Sequence, residues 1–123
     1  MGASFKQLVV WQRAVELSLA VYQLTSEFPM PEQFGLTNQL RRASVSVASN
    51  IAEGYGRSTT GEYILFLGHA RGSISELETQ LAISKALKFG SEKHFTVTEN
   101  LAIEVSSMIN AIMNKLRKTR KQA

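Results

Sequence analysis

The chain contains no cysteine, no aspartate and only two prolines, and no apolar run in it approaches the roughly 20 residues needed to cross a bilayer. Without cysteine there is no disulfide framework, no thiolate nucleophile and no Cys-ligated metal. Without aspartate the usual acid of a Ser-His-Asp arrangement is missing, and no Gly-x-Ser-x-Gly elbow is present either. Neither histidine, His69 or His94, follows a glutamate by three positions, so the Glu-x-x-His pairs of di-metal helical bundles are also lacking. The N-terminus, "MGASFKQLVVWQR", has no cationic lead, long apolar core or cleavage-like segment. Together these absences predict a soluble cytoplasmic protein without membrane attachment, enzymatic activity, metal or cofactor.

What is present is 44% hydrophobic residues in 123, enough to build one compact domain spanning residues 1–123. The net charge of +4 is unevenly placed. Lys115, Arg117, Lys118, Arg120 and Lys121 hold five of the 14 basic residues, which leaves residues 1–114 with nine basic against ten acidic groups. The body is nearly neutral and the tail, 115–123, is basic. Such a tail suits phosphate binding, because association with a polyanion gains from counterion release. The same cations would also serve a plain solubilising helix end, where they complement the helix dipole.

From Leu8 to Phe28 the residues Val10, Ala14, Leu17, Val21, Leu24 and Phe28 recur at spacings of three and four, predicting an amphipathic helix over about 8–28. Trp11, Val15 and Tyr22 widen its stripe, so it needs two neighbours. "FPMPEQFG" then interrupts helical hydrogen bonding. In "RRASVSVASNIAEGYGR" the alternation of serine with valine resembles a strand, but Ala48 to Ala52 break the two-residue period. Leu40, Ala43, Ser44, Val47 and Ile51 share one helical face instead. This predicts a second helix over about 36–53, with Thr37 as N-cap and Gly54 as a left-handed stop. A third, over about 60–89, starts at a capping box of Thr59 and Glu62, follows a seam of Tyr63, Leu67, Ala70, Ile74, Leu77 and Leu81, and stops at Gly90. A fourth, over about 96–118, uses Leu101, Val105, Met108, Ile112 and Leu116. Four amphipathic helices on short turns, with no strand, predict an all-α, up-down-up-down four-helix bundle.

Some faces exceed what one such core needs. Opposite the seam of the third helix lie Gly61, Gly68, Gly72, Ser75 and Thr79, beside Ile64 and Leu65. A mid-helix glycine costs roughly 1 kcal/mol relative to alanine, so Gly68 and Gly72 point to the close approach of another helix. On the second helix Val45, Ala48 and Ala52 extend the apolar arc past half the circumference. Arg41 borders that face, placed for an ion pair at an interface. Arg41, Val45, Ala48, Ala52, Ile64, Leu65, Gly68 and Gly72 are therefore candidate contacts between copies of the chain. Arg42 points 100° away from Arg41, as helical geometry requires. Arg57 sits in "EGYGRSTTGE", a capping turn without the Gly-Lys-Ser/Thr ending or preceding strand of a phosphate loop. Arg42, Arg57, Lys115, Arg117, Lys118, Arg120 and Lys121 are the candidate nucleic-acid or partner contacts; the same residue types also serve solvated or salt-bridged surfaces.

The order and spacing of "VWQRAVEL" (10–17), "FP" (28–29), "FGL" (34–36), "QLRRA" (39–43), "NIAEG" (50–54) and "FLGHARGSISELETQL" (66–81) resemble the four-helix-bundle proteins named after the 23S rRNA intervening sequences in which some are encoded. The resemblance covers about residues 8–90, and the fourth helix matches in pattern only. It implies a bacterial bundle that assembles into a homo-oligomeric ring, a pentamer, with no known enzymatic activity. More remotely, related bundles are the accessory variability determinants of diversity-generating retroelements, in which a basic ring surface engages reverse transcriptase and nucleic acid. The family pattern often has proline where this chain has Ala48, so the second helix is expected to be straighter here. Two functions follow as expectations. One is a non-enzymatic homo-oligomer that binds RNA, DNA or a ribonucleoprotein through repeated basic surfaces, with five tails supplying avidity. The other is a protein–protein scaffold or reverse-transcriptase accessory protein without sequence-specific nucleic-acid contact.

Overall fold

Val10, Ala14, Leu17, Val21 and Leu24 form the buried side of helix α1 (Val9–Thr25), as their spacing predicts. The structure, a computed structural model, describes residues 4–122, with side chains described as far as Thr119. Three further helices follow: α2 (Leu36–Tyr55), α3 (Thr60–Ala86) and α4 (Glu92–Gln122). α1 packs on α2 and α4, α3 packs on the same two, and the diagonal pairs do not meet. The result is a four-helix bundle, with no strand among the described residues. The short turns Phe5–Gln7 and Met30–Phe34 are 3-10 helical.

Most of the polar residues inside the bundle are small and self-satisfied. Thr25, Ser44, Ser84 and Thr98 are buried, and each hydroxyl donates to a carbonyl one turn earlier: Val21, Arg41, Gln80 and His94 respectively. Such hydroxyls can be buried because they borrow an acceptor from their own helix. In the serine-rich segment of α2, by contrast, Ser46 Oγ meets Ser73 Oγ of α3 at 2.9 Å.

Several helix ends differ from the sequence expectation, each time because a tertiary contact outweighs a local signal. α1 stops at Thr25 rather than near residue 28. The amides of Glu27 and Phe28 bond to Leu24 and Thr25 in a tightening turn that leads into Pro29, and Phe28 closes the core from that turn against Phe89 and Phe95. Thr37 is not an N-cap: it is buried inside α2, and Glu32 Oε1 accepts the Leu36 N–H at 3.2 Å in its place. Gly54 is not a left-handed stop. It lies within α2, buried, where an added Cβ would sit 2.6 Å from Phe66 Cβ. α2 is one continuous helix through Ala48.

At the start of α3 the Thr59 hydroxyl accepts the Glu62 N–H at 3.1 Å, as the capping box predicts. The helix ends at Ala86 on a left-handed Lys88 (φ 59°), not on Gly90; the Phe89 N–H bonds to Ser84 O and the Lys88 N–H to Lys85 O. This is the Schellman closure, formed with lysine where glycine is usual. Gly90 serves packing, since a Cβ there would lie 2.7 Å from Leu24 Cδ1.

α4 begins at Glu92 rather than 96, and its buried row is Phe95, Ala102, Val105, Ile109 and Met113. Leu101, Met108, Ile112 and Leu116, expected to form the seam, are half-buried beside it. The two rows adjoin on the helix surface, and the one containing the small Ala102 is turned most directly inward.

Candidate nucleic-acid interface

The helical pattern of α4 outlasts the sequence expectation and carries the basic tail with it. After Glu104 the chain has no acidic residue and five cations. Lys115, Arg117 and Lys118 are exposed, and no carboxylate pairs with them among the described residues. The side chains of Arg120 and Lys121 lie outside the described residues. A helix C-terminus carries about half a negative charge, too little to offset these cations. Arg71 Nη1 donates to Asn110 Oδ1 at 3.0 Å, fixing α3 and α4 as antiparallel neighbours, so the cationic end of α4 lies beside the first turns of α3.

The arginines of α2 and its following turn are placed differently from one another. Arg57 pairs with Glu53 at 3.4 Å and its guanidinium lies 4.8 Å from the Phe66 ring centroid. Part of its charge is therefore already met, though an exposed pair of this kind is worth little. Arg41 is half-buried between α1 and α2: its Nε donates to Thr25 Oγ1 at 2.9 Å, and its guanidinium covers the Tyr22 ring at 4.5 Å. Those two partners on α1 were not identified in the sequence, because pairing residues 25 and 41 requires the alignment of α1 with α2. Arg42 is exposed and lines a concavity with Asn38 and Ser46.

The candidate self-contacts also separate. Val45, Leu65 and Gly72 are exposed, while Ala48, Ala52, Ile64 and Gly68 are half-buried. A Cβ at Gly68 would make only ordinary contact with Met113 Cε at 3.9 Å, and one at Gly72 would meet nothing within 4 Å. Nothing within the bundle requires glycine at either position. The outer face of α3, from Leu65 through Gly68, Gly72, Ser75 and Thr79 to Ile83, carries no charge.

At the opposite end of the bundle Ser91, His94 and Glu27 come together, the residue types of a hydrolase. Yet Ser91 Oγ (3.1 Å) and Glu27 Oε2 (2.7 Å) both contact His94 Nδ1, whereas a relay needs the two on different ring nitrogens. The cluster is a clamp: Glu27 Oε1 accepts the Ser91 N–H at 2.8 Å, tying the end of α1 to the start of α4. That backbone hydrogen bond, followed by those from His94 and Ser91 side chains, holds the Glu27 carboxyl below its usual range against the opposing effect of burial. A carboxylate lowered in the folded state stabilises above its unfolded value and loses that contribution as pH falls through its folded one. The urea midpoint of Glu27→Gln should therefore lie below that of the wild type at about pH 6, with the gap closing as pH falls through the folded-state value. A gap that does not vary with pH would show that the charge is not its source.

No helix among the described residues is long and apolar enough to cross a membrane, and no group of three or more His or Glu gathers there to hold a metal. Comparison with curated proteins gives no match. Among solved structures the chain is similar to a protein of unknown function from the S23 ribosomal protein family of Bacteroides thetaiotaomicron VPI-5482, with 18% identity, TM-score 0.76, and coverage of 85% of this chain and 98% of that one. At that identity the likeness shows the fold alone. The family model described as 23S rRNA-intervening sequence protein matches residues 6–111, reaching well into α4. The chain thus belongs to the 23S rRNA-intervening sequence protein family.

Proposed function

We propose that the protein is a non-enzymatic, cytoplasmic RNA-binding bundle that works as a homo-oligomeric ring, with the cationic end of α4, Arg42 and Arg57 taking the phosphate backbone. The observation that carries this reading is the exposure of Lys115, Arg117 and Lys118 in a sequence that has no acid after Glu104. Exposed Val45 and Leu65, and two mid-helix glycines that the protomer itself does not need, support assembly; the resemblance drawn from the sequence supports five copies. A ring multiplies a modest charge per protomer into avidity.

The test is a salt series with the full chain and a single-stranded RNA, alongside its mass in solution. Five phosphate contacts per protomer, from Lys115, Arg117 and Lys118 on α4 with Arg42 and Arg57, at about 0.7 each predict that log K falls against log salt with a slope of about −3.5, steeper in proportion when several protomers engage one strand. The mass should be a multiple of the 13.6 kDa protomer. Absent or salt-insensitive binding overturns the RNA reading, and a strict monomer overturns the ring.

A second reading, a protein–protein scaffold such as a reverse-transcriptase accessory protein, is favoured by the uncharged outer face of α3. Co-purification of a protein partner with no nucleic acid would support it.

A further inference from the structure

A polar cleft of about 440 Å³ lies in the groove between α2 and α3, lined by Asn38, Gln39, Arg42 and Ser46 from α2 and by Glu76 and Gln80 from α3. Its size is that of a small-ligand site. Gln80 is the unusual member. It occupies an inward row beside Leu77 and Leu81 and is only 8% exposed. Its Nε2 reaches Gln39 Oε1 over a long 3.4 Å, and its buried Oε1 has no hydrogen-bond partner. An unpartnered buried acceptor costs free energy that an apolar side chain in the same row would not; this oxygen is inaccessible as placed, so a ligand in the cleft recovers that cost by turning the Gln80 amide towards it, which gives up just the long contact to Gln39. Glu76 adds an exposed carboxylate, a second acceptor, to the same wall. Arg42 supplies a cation that pairs with no carboxylate among the described residues. Arg42 also lines the adjoining concavity with Arg41 and Tyr22, so it is open to an anion on either side.

A cation next to two acceptors matches a nucleotide whose base presents N–H donors. Guanine offers two such donors side by side on its Watson–Crick edge, N1–H and N2–H, whereas uracil offers one donor between two acceptors. We propose that this cleft holds one unpaired nucleotide of an RNA strand, guanine in preference to uracil, with Arg42 on the phosphate and Glu76 and Gln80 on the base. The proposal rests on the RNA reading above, but its base-reading residues are separate from the cations of α4, so the two can fail independently.

The test titrates the full chain with GMP, UMP and inorganic phosphate, followed by amide chemical shifts of residues lining the cleft, and then with short single-stranded RNAs that differ only in one central G or U. GMP should bind about tenfold more tightly than UMP, the worth of one good two-point base contact, and phosphate more weakly than either. The G-containing strand should keep the preference. Glu76→Gln, a surface change, and Gln80→Met, close in volume, should each reduce the preference severalfold, whereas Arg42→Gln should weaken all the nucleotides together. Equal GMP and UMP affinities, or binding of phosphate alone, overturn the proposal. A preference seen with mononucleotides but lost in the strands makes this a free-nucleotide site and overturns the assignment to RNA. If strand binding depends on Lys115, Arg117 and Lys118 while Glu76→Gln changes nothing, the cleft assignment falls and the reading of α4 stands.

Discussion

Replacing Lys115, Arg117 and Lys118 together with glutamine is expected to weaken binding to single-stranded RNA about 100-fold at 0.1 M salt. The estimate follows from counterion release: at about 0.7 per contact, each phosphate neutralised contributes roughly fivefold at that salt, and three contacts multiply. The slope of log K against log salt should become shallower by about 2. In an assembled protein, where several copies of α4 touch one strand, the loss is larger, because the substitution acts in every protomer. The three side chains are exposed on α4, so the fold should survive. The cost in stability is limited to the dipole complement, about 0.3–1 kcal/mol for each cation near a helix C-terminus. Far-ultraviolet circular dichroism and a denaturation midpoint check that the variant is folded before its affinity is read. An unchanged affinity and salt slope in a folded variant would remove α4 from the interface and leave Arg42 and Arg57 as the remaining cations to examine.

The parts of this structure that were legible in the sequence are those decided by periodicity along a single helix. Val10 to Leu24 of α1, Leu40 to Ile51 of α2 and Leu67 to Leu81 of α3 all lie buried where their spacings place them. The Thr59–Glu62 box was legible for the same reason, since both partners are within one turn. Features that depend on two segments meeting were not. Thr37 carries an N-cap residue type, but Glu32 reaches the Leu36 amide first. Gly54 and Gly90 look like stops, and both are places where another chain segment comes too close for a Cβ. Lys88 gives no warning that it will adopt φ 59°, a conformation that disfavours most side chains and is held here by two closing hydrogen bonds. In α4 two apolar rows adjoin, and only the position of α1 and α3 selects the row through Ala102 and Ile109. The candidate site divides in the same manner. The tail cations are visible in composition, whereas the environment of Arg41 and the unpartnered Gln80 require knowing which helix faces which.

Gly54→Ala should destabilise the protein by about 1–2 kcal/mol, the reverse of what helix propensity predicts. On propensity alone, alanine in a helix gains about 1 kcal/mol over glycine. At Gly54, however, the new methyl would lie 2.6 Å from Phe66 Cβ, 3.1 Å from Tyr63 Cδ1 and 3.4 Å from Tyr63 O. Carbon atoms settle at about 3.5–4.0 Å, and a Cβ cannot rotate away from its own backbone, so α2 and α3 must separate by about 1 Å where they cross. That separation loosens the contacts of Ile51 and Leu67, both fully buried nearby, and overpacking of this kind costs about 1–3 kcal/mol. Gly72→Ala is the matched control. Its methyl meets nothing within 4 Å, so in an isolated protomer it should gain up to about 1 kcal/mol. Urea denaturation of the two variants, read at a concentration where the protein is a single protomer, should therefore move the midpoint in opposite directions. A Gly54→Ala protein as stable as the wild type would mean that α2 and α3 do not approach as closely as their backbones indicate. The control carries information about assembly as well. If the outer face of α3 is where copies meet, the methyl at position 72 intrudes on the neighbour, and Gly72→Ala should lower the mass in solution even while each protomer becomes harder to unfold.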